Sequence, residues 1–239
     1  MKLALVWLTL MAQTANPRDV QRLQELRMCD RCNLIGANLR GANLQGVTVV
    51  ASNLQNADLS GAQLMGAFFV DAQLRGAELS QANLTNANLS GSDLQGVNLA
   101  GALLQGTNLT GANLGGAILL GADLTGADLG GANLQRSVLT NSKLTLSNLK
   151  RANLKGAMLL SGQLRQADLT SANFQGAILR GADLQTADLT NADLRGADLR
   201  QANFRQANLR GALLTAPQLR DAQLCQTILP DGTQSDRDC

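Results

Sequence analysis

A large apolar residue returns at every fifth position of this chain, from Leu34 to Leu229, without one insertion or deletion. Forty positions obey the rule, and all are Leu except Val49, Phe69, Phe174 and Phe204. Two residues before each sits a small residue, usually Ala, as at Ala37, Ala57, Ala82 and Ala192. Asn or Asp mostly lies between them, and Gly often closes the unit, which reads A-[N/D]-L-x-x. A helix needs apolar residues at a spacing of about 3.6 and a strand at about 2. A period of five fits neither. It fits a chain that turns a corner once per unit and points the same position inward each time. Gly, Asn and Ser suit those corners. One such turn cannot bury its Leu alone, whereas stacked turns can. The unbroken register argues for one domain over this length. Aromatic residues are only 2% of the chain, so Leu must do most of the packing.

Runs such as Ala122-Asp123-Leu124-Thr125-Gly126-Ala127-Asp128-Leu129 resemble the pentapeptide-repeat family. The resemblance covers residues 32–229 and implies an all-β fold, a right-handed quadrilateral β-helix with four repeats in each coil. Forty repeats then give about ten coils. At an inter-strand spacing of about 4.8 Å, the rod is on the order of 48 Å long. Each inward Leu gains roughly 1.5–3 kcal/mol on burial. The residue two before it also faces a narrow interior, so Ala fits and Cys32, Val47, Ser92, Thr107, Gly162 and Pro217 stand out. Pro217 removes a backbone donor, so the ladder should weaken there.

The two ends depart from the repeat. Asn16-Pro17 reads as a helix start, with Asn as N-cap and Pro in the first turn. Val20, Leu23 and Leu26 make one apolar stripe, so residues 16–31 are expected to form a short capping helix over the open N-terminal coil. Such a cap protects an edge that would otherwise template aggregation. At the other end Leu229-Pro230-Asp231-Gly232 stops the pattern with a turn, and residues 230–239 read as a C-terminal tail, mobile from Thr233 to Cys239. Residues 1–15 combine Lys2, an apolar run from Leu3 to Ala12 and small or polar residues up to Ala15. That pattern resembles a secretory signal peptide, although Gln13 is unusual three residues from the cut; a retained N-terminal strand or anchor is the alternative. The run is too short to span a membrane.

The cysteines sit at the ends: Cys29 and Cys32 beside the cap, Cys225 and Cys239 at the far end. Rod ends tens of ångströms apart cannot meet the limit of about 7 Å between bridged Cα atoms. If bridges form, they are therefore Cys29–Cys32 and Cys225–Cys239. Cys29-x-x-Cys32 also reads as a redox motif or half a metal site, but no second Cys pair lies nearby and the chain has no His. No metal or other cofactor is expected.

The chain also lacks Tyr, and its one Trp, Trp7, lies in the leader. Asp183, Asp188, Asp193 and Asp198 are frequent acids, yet a four-repeat coil places them on four different sides rather than as a converging pair. An interior filled with Leu offers no pocket, so the chain is not expected to be an enzyme. Net charge is +2, without the basic groove and aromatic stacking that nucleic-acid binding needs. Charge is uneven, however. Residues 30–135 carry three Arg or Lys against seven Asp or Glu, and residues 136–221 carry twelve against six.

In a four-repeat coil, residues twenty apart stack. Arg180, Arg200 and Arg220 then form a basic column, read either as a solvated face or as a site for an acidic partner. The outward position before the inward Leu, normally Asn or Asp, becomes Ile118, Val138, Met158 and Ile178 on one face, with Leu120 and Leu160 beside them. A contiguous apolar patch of that kind marks an interface for self-association or another protein. The function expected is a non-enzymatic interaction or structural scaffold, similar to exported cyanobacterial pentapeptide-repeat proteins of the periplasm or thylakoid lumen. A cytoplasmic location is the alternative. The other reading is the DNA-mimic branch that binds DNA gyrase, but that branch tends to be acidic and often dimerises through a C-terminal helix.

Overall fold

The structure, a computed structural model, describes residues 14–239. The expected signal peptide therefore lies almost wholly outside the described residues. From Met28 to Ile228 the chain winds as a solenoid whose parallel bridges join one residue of each repeat to the one twenty positions ahead, as in Asn53↔Gln73 and Asp123↔Lys143. Four bridge columns run along it, one per repeat of the coil. All but one of the inward residues from Leu34 to Leu224 are buried; Leu214, beside the departure from the coil at Ala216–Leu219, is partly exposed.

One repeat accounts for all its backbone donors. The N–H of Ala122 closes a turn onto the Leu119 carbonyl at 3.1 Å. The N–H of Asp123 donates back to Ala102 at 3.0 Å, and that of Leu124 donates forward to Lys143 at 2.7 Å. The N–H of Thr125 donates to the Asp123 carboxylate at 3.1 Å. Finally, the N–H of Gly126 donates to Thr145 at 2.9 Å. The Asn or Asp of the motif is thus the acceptor that ends each short strand.

The fifth position turns the corner with positive φ, as at Gly126 (φ 66°). Where Gly is absent another residue accepts the strain, and Leu146 does so at φ 60° with its side chain exposed. The small position holds more polar residues than the sequence reading singled out: Ser52, Ser137, Ser142 and Ser147 are buried too. Each hydroxyl donates to a carbonyl, such as Ser142 Oγ to Leu139 at 2.7 Å. Among the described residues, no buried side-chain nitrogen or oxygen lacks a partner.

The N-terminal cap is helix α1 (Pro17–Leu26), with the Asn16 side chain accepting from the Arg18 N–H at 3.0 Å. Leu23 is buried and Val20 packs partly, but Leu26 is exposed, so the stripe is shorter than expected. The Asp19 carboxylate supplies the missing anchor by accepting from the Asn33 N–H at 2.9 Å.

The C-terminal end corrects the expectation of a mobile tail. Strand β1 (Thr227–Ile228) pairs antiparallel with β2 (Gln234–Ser235), folding the tail over the last coil. Arg237 donates to the Leu219 carbonyl at 2.7 Å and also to that of Ala222. Both disulfides join local partners, Cys29 to Cys32 with Cα atoms 5.5 Å apart and Cys225 to Cys239 with Cα atoms 4.7 Å apart.

Pro217 has no N–H to close the kind of turn that Ala122 makes onto Leu119, and the coil is disturbed there. Ala216–Leu219 becomes a short 3-10 helix, and the bridge that would join Asp198 to Gln218 does not form. The Gln218 side chain donates to the Ala197 carbonyl at 3.0 Å, in place of the Gln218 N–H, and to the Leu194 carbonyl at 2.8 Å.

A left-handed conformation costs a non-Gly residue about 1–2 kcal/mol, partly offset by the greater unfolded-state freedom of Gly. Leu146→Gly is therefore expected to stabilise the rod by about 0.5–1 kcal/mol, read as a higher denaturant midpoint at unchanged slope.

Candidate interaction face

The four apolar residues lie in one bridge column, Ile118↔Val138↔Met158↔Ile178. Each backbone is fixed in the ladder: the N–H groups of Ile118, Val138, Met158 and Ile178 donate to Val97, Ala117, Ser137 and Ala157 at 2.9 Å. Their side chains point outward. Ile118, Met158, Ile178, Leu120 and Leu160 are exposed, and Val138 is half-buried between its neighbours. The structure thus brings all six predicted interface residues onto one flat face. Other exposed apolar residues, including Met65, Phe68 and Leu103, lie in other columns and do not extend the patch.

The apolar run also gives up a hydrogen bond. In regular repeats an Asn or Asp accepts the N–H two residues on, as Asn98 does from Ala100 at 3.1 Å. Ile118, Val138, Met158 and Ile178 have no acceptor to offer the N–H groups of Leu120, Thr140, Leu160 and Arg180.

The basic column is only partly formed. Arg180 and Arg200 stack in register, since the Gly181 N–H donates to the Arg200 carbonyl at 2.9 Å. Arg220 does not continue them. It follows the 3-10 turn, and the Gln201 N–H bonds to Asp221 rather than to Arg220. Arg200 also grips Asp198 with two bonds of 2.8 and 2.7 Å. Pro217, flagged in the sequence, causes this slip of register.

Asp183, Asp188, Asp193 and Asp198 occupy four separate columns. Asp198 is held below the usual carboxylate range first by its bonds to the Arg200 guanidinium. Asp193 is held well below it by Arg195, at 2.9 and 2.6 Å, and by Gln175 at 2.6 Å. These acids are ladder acceptors and ion-pair partners. The N-terminal cysteines lie beside Asp19, but their sulfurs are joined to each other and present no thiolate to a metal. A furrow of about 690 Å³ follows another corner of the rod, lined by Gln55, Arg75 and Gln95, and is open to solvent. Among the described residues, no helix is long and apolar enough to cross a membrane.

The fold and the face together define a pentapeptide-repeat solenoid with an unusual apolar side. Eight overlapping matches to the family described as "Pentapeptide repeats" run from residue 32 to residue 231, and the chain belongs to that family. It is similar to HetL, a pentapeptide-repeat protein involved in heterocyst differentiation regulation from the cyanobacterium Nostoc sp. strain PCC 7120. The two are 34% identical over 92% of this chain and 99% of HetL, with a TM-score of 0.69. A trypsin-treated form of QnrB1, a plasmid-mediated fluoroquinolone resistance protein, shares the fold. It is 24% identical over 79% of this chain and 92% of its own, with a TM-score of 0.50. Comparison with curated proteins gives no match.

Asp193 contributes stability above the ordinary carboxylate pKa of about 3.9 and loses it as pH falls through its lower folded value. Arg195→Gln is therefore expected to melt slightly below the wild type at neutral pH, with the gap closing as pH drops below about 4. Thermal melts across that range check it; a gap that widens in acid contradicts the assignment.

Proposed function

We propose that this chain is a non-enzymatic interaction scaffold whose working surface is the apolar face of Ile118, Val138, Met158, Ile178, Leu120 and Leu160. Its coils wind right-handed, as the family resemblance implies. The observation that supports the reading is the double cost of the face. Four successive coils replace the acceptor that ends the strand, forgoing a bond worth about 0.5–1.5 kcal/mol each. They also hold large apolar side chains in water. A partner covering them recovers about 25 cal/mol per Å² of apolar area, before the cost of association. Binding to DNA gyrase remains the alternative. What favours it is a fold shared with a resistance protein, while the basic half at residues 136–221 opposes DNA mimicry.

Val138→Asn with Met158→Asn tests the face. Asn restores the missing acceptor, so the melting temperature should hold or rise. Association seen in sedimentation or native pull-down should be lost. Unchanged association would mean that the face is not a binding surface.

Export to the periplasm or thylakoid lumen belongs to the same proposal. Trp7 is the only Trp and there is no Tyr, so cleavage near Ala15 leaves a mature protein without Trp fluorescence. Protein isolated from its own cells that still shows Trp emission would contradict export with cleavage.

A further inference from the structure

We infer that the occupant of the apolar face is a second copy of this chain, packed antiparallel across a two-fold axis between the Val138 and Met158 coils. The inference rests on the reading of the face as an interface and adds the partner and its orientation. A two-fold contact requires a self-complementary surface, in which residue i meets j and j meets i. Along the bridge column the outward residues run Asn98, Ile118, Val138, Met158, Ile178, Asp198. That series is a near palindrome. With antiparallel copies, Ile118 meets Ile178, Val138 meets Met158 and Asn98 meets Asp198. The polar ends frame a dry centre, as specific interfaces do.

Charge selects antiparallel over parallel packing. Residues 30–135 hold three basic and seven acidic side chains, and residues 136–221 hold twelve and six. The sign changes at the apolar run. Parallel copies would lay acidic half on acidic half and basic on basic. Antiparallel copies lay each acidic half along the other's basic half, where charges that come within a Debye length of about 8–10 Å attract. On the face itself Glu78 lies two coils before Ile118, while Arg180 follows Ile178 and the Asp198–Arg200 ion pair lies one coil beyond it. A face one short strand wide buries little, below about 1,200 Å² in total, so the dimer is a weak and reversible one.

Sedimentation of the full chain over a concentration series up to about 1 mM is expected to show a monomer–dimer equilibrium that weakens as salt rises. Val138→Asn with Met158→Asn should remain monomeric with its melting temperature intact. Orientation is read by mixing copies carrying Ala100→Cys with copies carrying Arg200→Cys and adding a short maleimide cross-linker. Antiparallel packing predicts a link between the two kinds of copy and none within either kind alone. Links of Ala100→Cys copies to one another would overturn the orientation. A wild type monomeric throughout the series would overturn self-association. In that case, loss of native pull-down partners in the Asn variant would still support the face as an interface for another protein.

Discussion

Along the regular coils the inward residue donates its backbone N–H to a carbonyl of the next coil, as Leu124 does to Lys143 and Leu154 to Asn173 at 2.7 Å. That bond holds the register of twenty residues, and the rest of the rod follows from it. Because the ladder is made of backbone, it is indifferent to the outward side chains. The interior is not indifferent, because a fixed register brings every Leu over the Leu of the next coil. A single inserted residue would shift all later ladder bonds and point the wrong side chains inward together. The absence of any insertion between Leu34 and Leu229 is the sequence trace of this constraint.

The same constraint explains why the rod needs two different ends. A ladder that stops leaves a coil with unpaired donors or acceptors, a template for further coils. At the N-terminal end Leu23 covers apolar surface while the Asp19 carboxylate takes the Asn33 N–H. At the C-terminal end Arg237 answers the carbonyls of Leu219 and Ala222, and the Asp238 carboxylate accepts from the Leu224 N–H at 3.2 Å. The Cys225–Cys239 bridge ties that tail to the coil it covers.

The repeating part was legible because its apolar position recurs forty times and its other positions recur often enough to show the unit. The stacking of Ile118, Val138, Met158 and Ile178 followed directly from period and coil size, as did the local pairing of the cysteines. What was not legible lies where a long-range contact replaces the repeat. Nothing in the pattern around Asp19 announces that it will cap Asn33. Arg237 lies outside any period, so its grip on the last coil had no signal. Pro217 did signal a weak ladder, but not that Gln218 would reach two carbonyls or that Arg220 would leave its column. Leu26 fitted a helical stripe, yet the first coil has room only for Leu23 and part of Val20.

Function on such a rod has to be sought in departures from the motif. The numerous outward acids would suggest chemistry in an ordinary fold. In this one, Asp123 and its equivalents close strands by accepting a backbone N–H, so their number follows from the architecture. A residue type that abandons this task without structural need carries more information. At Pro217 the departure weakens the ladder, and neighbouring side chains compensate for it. At Ile118, Val138, Met158 and Ile178 nothing among the described residues compensates: the acceptor is lost, the apolar groups face outward, and the loss repeats over four consecutive coils on one side. A random drift of surface residues would scatter such losses over the four columns, as Phe68 and Leu103 are scattered. Their alignment on one column, between Asn98 and Asp198, is the departure on which the proposed interface rests.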